Sequence, residues 1–297
     1  MVLKGAKSLA LPLKFGQSMR VIPDANMDLK LRWKAHVRDE AWLEVQFDLH
    51  SIEIIETNDI KKAKRLQKIL RVAHILNPDV LKSTKGLDVF TNINFDINWG
   101  LGSSSSLIAN IAKWFRLDPF ALYFKTSSGS GFDVACANAN GPIFYTLNGK
   151  QTIVEKVIFE PDFSNHLYFV YLGKKQQSHK SIQYFSSKLA PDTPEIRRIS
   201  EISTELTATH DLEEFEFFIN EHETIMSKIL GVPPVKKELF AEFAGEVKSL
   251  GAWGGDFVMM TWREGIDSLK AYLKTKKLNV VFPFDDIVLK QNVENII

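Results

Sequence analysis

The sequence predicts an α+β fold. Three observations predict it: period-two segments crowd the early positions, a glycine-serine turn then gives way to helical periodicity, and short strands return among and after the helices. Residues 19–22, 29–35, 42–49 and 87–97 read as strands. In the last, Leu87, Val89, Thr91, Ile93, Phe95 and Ile97 share one face, while Asp88, Asn92, Asn94 and Asp96 share the other, so one face packs and the other meets water. Antiparallel pairing is the economical arrangement. Between these strands 59–76 reads as a helix, because Ile60, Ala63, Leu66, Ile69, Leu70 and Ala73 recur at helical spacing before Asn77-Pro78 stops it.

Helices follow at 104–115 and 132–139, then strands at 143–147, 152–159 and 166–172. The second half turns helical at 178–187, 194–210, 212–230 and 236–249. On one of these, Leu212, Phe215, Phe218, Ile219, Met226 and Ile229 form an apolar stripe that belongs to a core. Strands at 256–262 and 278–283 flank a last helix at 265–275, with no internal repeat and no low-complexity linker. The division expected is 1–160 and 161–297.

With 297 residues, 45% hydrophobic and 25% charged, the chain can bury a substantial core, which excludes disorder as its overall state. A formal net charge of +1 gives no global field for nucleic acid or an anionic membrane, so the expected partner is a small molecule held by local geometry. The basic face of 59–76, with Lys61, Lys62, Lys64, Arg65, Lys68 and Arg71, has no interleaved aromatics and reads as solvated. Lys174, Lys175, His179 and Lys180 follow a strand end, where they serve either solvation or an anionic substrate. The lone Cys136 cannot form an internal disulfide and fits a reducing, cytoplasmic setting. Pro12 and Lys14 cut short the apolar run near the start, so it is not a signal peptide, and no run reaches the roughly 18 apolar residues of a membrane helix. The seven histidines include no His-Glu-x-x-His pair, and His222 reads as an interfacial side chain. A Gly-x-Ser-x-Gly elbow is absent.

The chemistry-bearing segment is Gly100-Leu101-Gly102-Ser103-Ser104-Ser105-Ser106, between a strand and a helix whose apolar face carries Leu107, Ile108, Ile111 and Ala112. Glycines let backbone amides approach a ligand closely, and the unpaired amides of a helix start hold phosphate. The same pattern equally suits a strand-to-helix turn with a serine cap. No lysine follows as a Walker A motif requires, and Ser105 stands where the Rossmann fingerprint has its third glycine.

Residues 100–106 resemble the second signature motif of the GHMP kinases, the galactokinase, homoserine, mevalonate and phosphomevalonate kinases. Ser130-Gly131-Phe132-Asp133-Val134-Ala135 resembles the stretch bearing that family's catalytic aspartate, and Gly251-Ala252-Trp253-Gly254-Gly255-Asp256 resembles its third motif. The start, residues 2–12, resembles the segment just after the first motif in mevalonate and phosphomevalonate kinases. The likeness spans nearly the whole chain and is nearest a subgroup named for Gly-Tyr-Asp-Ile-Ala, here Gly131-Phe132-Asp133-Val134-Ala135.

The resemblance implies a ribosomal-protein-S5-like first half, a ferredoxin-like second half and an active site in the cleft between them. It implies ATP and Mg²⁺ as cofactors. By it Gly100, Leu101, Gly102, Ser103, Ser104, Ser105 and Ser106 wrap the nucleotide phosphates, Ser104 also touches the metal, and Gly251, Gly254 and Gly255 close around phosphate and substrate. Asp133 accepts or orients the acceptor's hydroxyl proton; read without that motif, it is first a helix cap. The activity implied is phosphorylation of a small metabolite of the mevalonate-pathway kind. The related diphosphomevalonate decarboxylase, or a nucleotide-binding homologue without turnover, are the alternatives.

Three positions and the start depart from the pattern. The family's opening strand, with its lysine, falls before Met1. Leu122 occupies the place of a magnesium-binding glutamate, with Asp118 a substitute carboxylate; Asp96 stands where the second motif has proline; and Trp253 replaces a small residue in the third.

Overall fold

A computed structural model describes residues 1–24, 29–82, 85–173, 193–251 and 256–291. The expected helix at 178–187 and the cluster Lys174, Lys175, His179 and Lys180 lie outside them. The chain forms two compact units, Phe15–Asn138 and a discontinuous one made of Met1–Lys14 with Ala139–Ile297. This differs from a division at 160/161, and strand pairing is the reason. The first strand, β1 (Ser8–Ala10), is a short segment unread in the sequence, and it pairs antiparallel with residues 143–145.

The unit Phe15–Asn138 is built on a five-stranded sheet of β2 (Gln17–Asp24), β3 (Lys30–Val37), β4 (Glu40–Asp48), β5 (Ile54–Thr57) and β6 (Gly86–Ile93), in the order β2-β6-β3-β4-β5. Three of the four pairings are antiparallel as expected, but β3 and β6 run parallel. The helix α1 (Ile60–Leu76) supplies the crossover such a pairing needs. Asp59 caps it by accepting from the Lys61 and Lys62 amides, and Ala63, Leu66, Ile69, Leu70 and Ala73 are buried at the predicted spacing. Its basic face is partly engaged: Lys62 sits over the Trp42 ring and Arg71 pairs with Glu53. Three helices complete the unit: α2 (Ser103–Trp114), α3 (Pro119–Thr126) and α4 (Phe132–Asn138). One core joins Leu31, Trp33, Val45, Phe47, Val89, Ile111, Phe115, Leu122 and Val134.

In the other unit β7 (Ile143–Asn148) lies between β1 and β8 (Gln151–Lys156). A second sheet takes the order β10-β11-β9-β12, from β9 (Leu167–Tyr171), β10 (Val247–Ser249), β11 (Phe257–Thr261) and β12 (Val281–Pro283). Its helices are α5 (Pro194–Ala208), α6 (Leu212–Leu230), α7 (Val235–Leu239), α8 (Ile266–Thr275) and α9 (Phe284–Ile287). On α6 the buried residues are Phe215, Ile219, Glu223, Met226 and Leu230; Leu212, Phe218 and Ile229 are only half-buried. The expected helix at 236–249 is instead α7, a turn and β10. Phe240 and Phe243 enter the core there, and Gly245 passes so close to β11 that a Cβ would come within 1.8 Å of the Thr261 carbonyl oxygen. Contact of that kind overrides helical spacing.

Candidate active site

The glycine-serine turn leaves β6 through a 3-10 turn, Ile97–Trp99, capped by Asp96, whose carboxylate accepts from the Asn98 amide at 2.8 Å. Gly100 (φ 70°) and Gly102 (φ 78°) both adopt the left-handed conformation, which costs residues with a side chain about 1–2 kcal/mol. Gly102 is the N-cap of α2 and has no side chain with which to cap it. A serine-capped turn is therefore not what forms. Its carbonyl accepts from the Ser105 and Ser106 amides at 2.9 and 3.0 Å, and a Cβ built on Gly102 would meet nothing within 4 Å. An uncapped helix start facing open space suits an anion, through its unpaired amides and the positive end of its dipole.

The four serines divide. Ser105 is buried, and the Ser106 hydroxyl is engaged by Gln17 Oε1 at 3.1 Å and the Ser103 carbonyl at 3.0 Å. Asn110 Nδ2 adds a bond to the Gln17 carbonyl at 2.8 Å, so this face of α2 is tied to β2. Ser103 and Ser104 are half-buried, on the accessible side with Gly100, Leu101 and Gly102.

Asp133 is the second residue of α4, so it does not act as a helix cap. Gly131 (φ 79°) precedes the helix, and its carbonyl accepts from the Val134 and Ala135 amides, both at 3.0 Å. Val134 and Ala135 are buried, which fixes the rotation of α4 and leaves Asp133 exposed. Surrounding protein nonetheless withholds part of its hydration and raises its carboxyl above the ordinary aspartate value. That direction strengthens it as a proton acceptor. Burial, then the Asp133 charge, pushes Cys136 to about 12, so this thiol stays protonated. Helices α2 and α4 pack against each other within the one unit.

Sequence reasoning missed Tyr123. It lies on α3, whose start carries a recognisable signal, Asp118 as N-cap followed by Pro119. The Tyr123 hydroxyl donates to the Ser128 carbonyl at 3.1 Å and accepts from the Gly131 amide, under the loop that leads into Asp133. Burial first, and then the Asp133 charge, raises its pKa.

Metal ligands are sparse. Leu122 is 0% exposed in the core, and Asp118 is occupied at the start of α3, accepting from the Phe120 amide at 3.1 Å. Among the described residues no group of three His, Cys, Asp or Glu could hold a metal ion. The side-chain oxygens on the accessible side of the turn are the Ser103 and Ser104 hydroxyls, groups suited to a magnesium ion otherwise held by phosphate and water. Gly251 lies in the other unit, left-handed at φ 62° just after β10, while Trp253, Gly254 and Gly255 fall outside the described residues. No described helix is long and apolar enough to cross a membrane.

No family model matches the chain, and neither does any curated protein. Solved structures do. The chain is similar to the mevalonate kinase of Methanococcus jannaschii, with 15% identity, TM-score 0.68, and 98% of this chain and 93% of that one covered. It is similar to the L. major mevalonate kinase solved with R-mevalonate, with 15% identity, TM-score 0.64, and 98% and 91% covered. For the Streptococcus pneumoniae phosphomevalonate kinase solved with phosphomevalonate and AMPPNP, identity is 12%, TM-score 0.61, and 93% and 99% are covered. The chain has the α+β fold of these GHMP-type kinases across nearly its whole length.

Proposed function

We propose that this protein is an ATP-dependent kinase that phosphorylates a hydroxyl or phosphate of a small metabolite of the mevalonate-pathway kind. The observation that carries this reading is the uncapped, glycine-initiated start of α2, packed helix to helix against α4 with its exposed, proton-attracting Asp133. Phosphoryl transfer asks mainly for positioning and neutralisation of charge. The amides of Ser103 and Ser104 hold phosphate oxygens, Gly100 and Gly102 let the backbone approach them, and the Ser104 hydroxyl is the side chain that would hold Mg²⁺. When bound, the metal shields charge on the phosphates. Asp133 takes the proton of the acceptor hydroxyl as its oxygen bonds the γ-phosphorus, the bond to the β-phosphate oxygen breaks, and ADP leaves.

The test is a screen of mevalonate, phosphomevalonate and related alcohols for ATP-dependent phosphorylation, with carbon dioxide release followed to detect coupled decarboxylation. Asp133→Asn should abolish turnover while ATP affinity stays within about threefold, and Ser104→Ala should weaken use of Mg·ATP. Undiminished turnover in Asp133→Asn would sink the reading. One observation favours a second reading, a nucleotide-binding homologue without turnover: Leu122, at the family's glutamate position, is committed to the core. Nucleotide binding without phosphorylation of any acceptor supports that alternative.

A further inference from the structure

Among the described residues the sheets end on β1, β8, β10, β12, β2 and β5, and all of these edges but one are guarded against pairing with another chain. Strands β1, β10 and β12 are three residues each. Strand β5 has four, and its pairing with β4 slips register between Gln46 and Phe47. On β2 the Gln17 carbonyl is taken by Asn110, and Pro23 has no amide to offer. Strand β8, Gln151–Lys156, carries no proline, glycine or bulge, and β7 pairs with it on one side only. Ile153 and Val154 on it are 37% and 44% exposed.

The ladder fixes which backbone groups this edge offers. The Val157 amide donates to the Pro142 carbonyl at 3.1 Å, in line with the register that sets Glu155 against Phe144 and Ile153 against Thr146. Bonded pairs alternate in an antiparallel ladder, so residues 151, 153, 155 and 157 direct their backbone groups to β7, while Thr152, Val154 and Lys156 point theirs outward. A second copy meeting this edge antiparallel is related by a twofold axis perpendicular to the sheet, which sets odd positions against odd and even against even. Charge then selects the register. An axis at Glu155 or at Lys156 sets like charges directly opposite, and an axis at Ile153 sets Lys156 against Lys150 of the turn. An axis at Val154 avoids all of these. Val154 then meets its own copy, Thr152 meets Lys156, Ile153 lies along the stem of Glu155, and every outward amide and carbonyl of residues 152, 154 and 156 gains a partner. Behind Val154 in the same row stands Tyr145, 0% exposed, so the apolar row runs on from the core of one copy into that of the other.

We propose that β8 is the surface through which two copies of this chain join, antiparallel and edge to edge across Val154, so that the sheet β1-β7-β8 continues from one copy into the next. The pairing is independent of the kinase reading.

The test is sedimentation of the full chain between about 1 and 500 μM. One strand edge makes a small interface of the weak class, so a dissociation constant of about 10–100 μM is expected. Val154→Lys sets two ammonium groups across the axis and should weaken association at least tenfold with an unchanged melting temperature, because the side chain is exposed and its backbone groups do not bond β7. Ile153 and Glu155 of the two copies form a non-bonded pair with Cα atoms about 4.5 Å apart, within disulfide range. Ile153→Cys/Glu155→Cys should therefore cross-link two copies under mild oxidation, whereas Ile153→Cys alone, with no cysteine opposite, and the unaltered chain with its Cys136 should not. A monomer throughout the range overturns the proposal. So does a dimer that Val154→Lys leaves intact, or one in which the double variant gives no cross-link; the cross-link decides by itself if Val154→Lys folds poorly.

Discussion

Tyr123 and Ser128 are joined by a hydrogen bond of 3.1 Å from the phenol to the backbone carbonyl, and this bond staples the loop that delivers Asp133 to the start of α4. Gly129 lies under the same staple, with φ 132° and a would-be Cβ only 2.7 Å from the Tyr123 hydroxyl oxygen. Tyr123→Phe should cost about 1 kcal/mol of stability and lower turnover more than nucleotide affinity. Gly129→Ala should cost about 1–3 kcal/mol. In the double variant the hydroxyl that the new methyl meets is gone, so the two losses should sum to less than their separate values. Urea unfolding of the four proteins checks this; strict additivity would show that the two residues do not share one constraint.

Gly102 meets open space and has a left-handed backbone. Gly102→Ala therefore clashes with nothing in the protein, and its stability cost should stay near the 1–2 kcal/mol of backbone strain. The added methyl occupies the approach to the α2 amides. Calorimetric titration with an ATP analogue should show affinity falling by more than tenfold; retained affinity would place the phosphates elsewhere.

Leu122→Glu puts a carboxylate where the resemblance expects one, but into a side chain that is 0% exposed. An unpaired buried carboxylate is among the few changes that cost several kcal/mol. Expected are a loss of about 3 kcal/mol or more and no stabilisation by added magnesium, both read from thermal melts with and without the ion. Magnesium-dependent stabilisation would mean that Leu122 faces the metal after all.

His222 makes stability depend on pH. Its pKa is depressed from 6.5 to about 4 by burial and by Lys248, with Glu223 pulling the other way and the Met1 amino group adding to the depression. The folded state therefore disfavours the imidazolium, and the unfolded chain binds that proton more readily. The contribution is present above pH 6.5 and is lost as pH falls from 6.5 towards 4. Its size is of order 3 kcal/mol at most. His222→Phe should flatten this limb of the stability profile, measured by denaturant midpoints between about pH 7 and pH 4; an unchanged limb would assign it to other groups.

The helices α1, α2, α5 and α6 and the inward face of β6 were legible because apolar periodicity and burial coincide in them. The segment around Gly245 was not, because its apolar residues also fit a helix and only the approach of Thr261 decides against one. The parallel pairing of β3 with β6 depends on where α1 returns the chain, a long-range matter that no local pattern carries. In the candidate site the turn and Asp133 could be read from motif and context. The split among the serines could not, since Gln17 is remote in sequence from Ser106. The contacts of Lys248 with His222 and Glu223 were hidden for the same reason, as these partners come from a helix more than twenty positions earlier.

The strand Ser8–Ala10 finds its partner in Ile143–Asn148, with the whole of the unit Phe15–Asn138 lying between them in the sequence. During synthesis this strand must wait for that intervening unit, with its own core, to emerge before it can be sheltered. The pairing of this strand is thus delayed by the making of a whole unit, and chaperones that recognise nascent apolar segments have that interval in which to reach it.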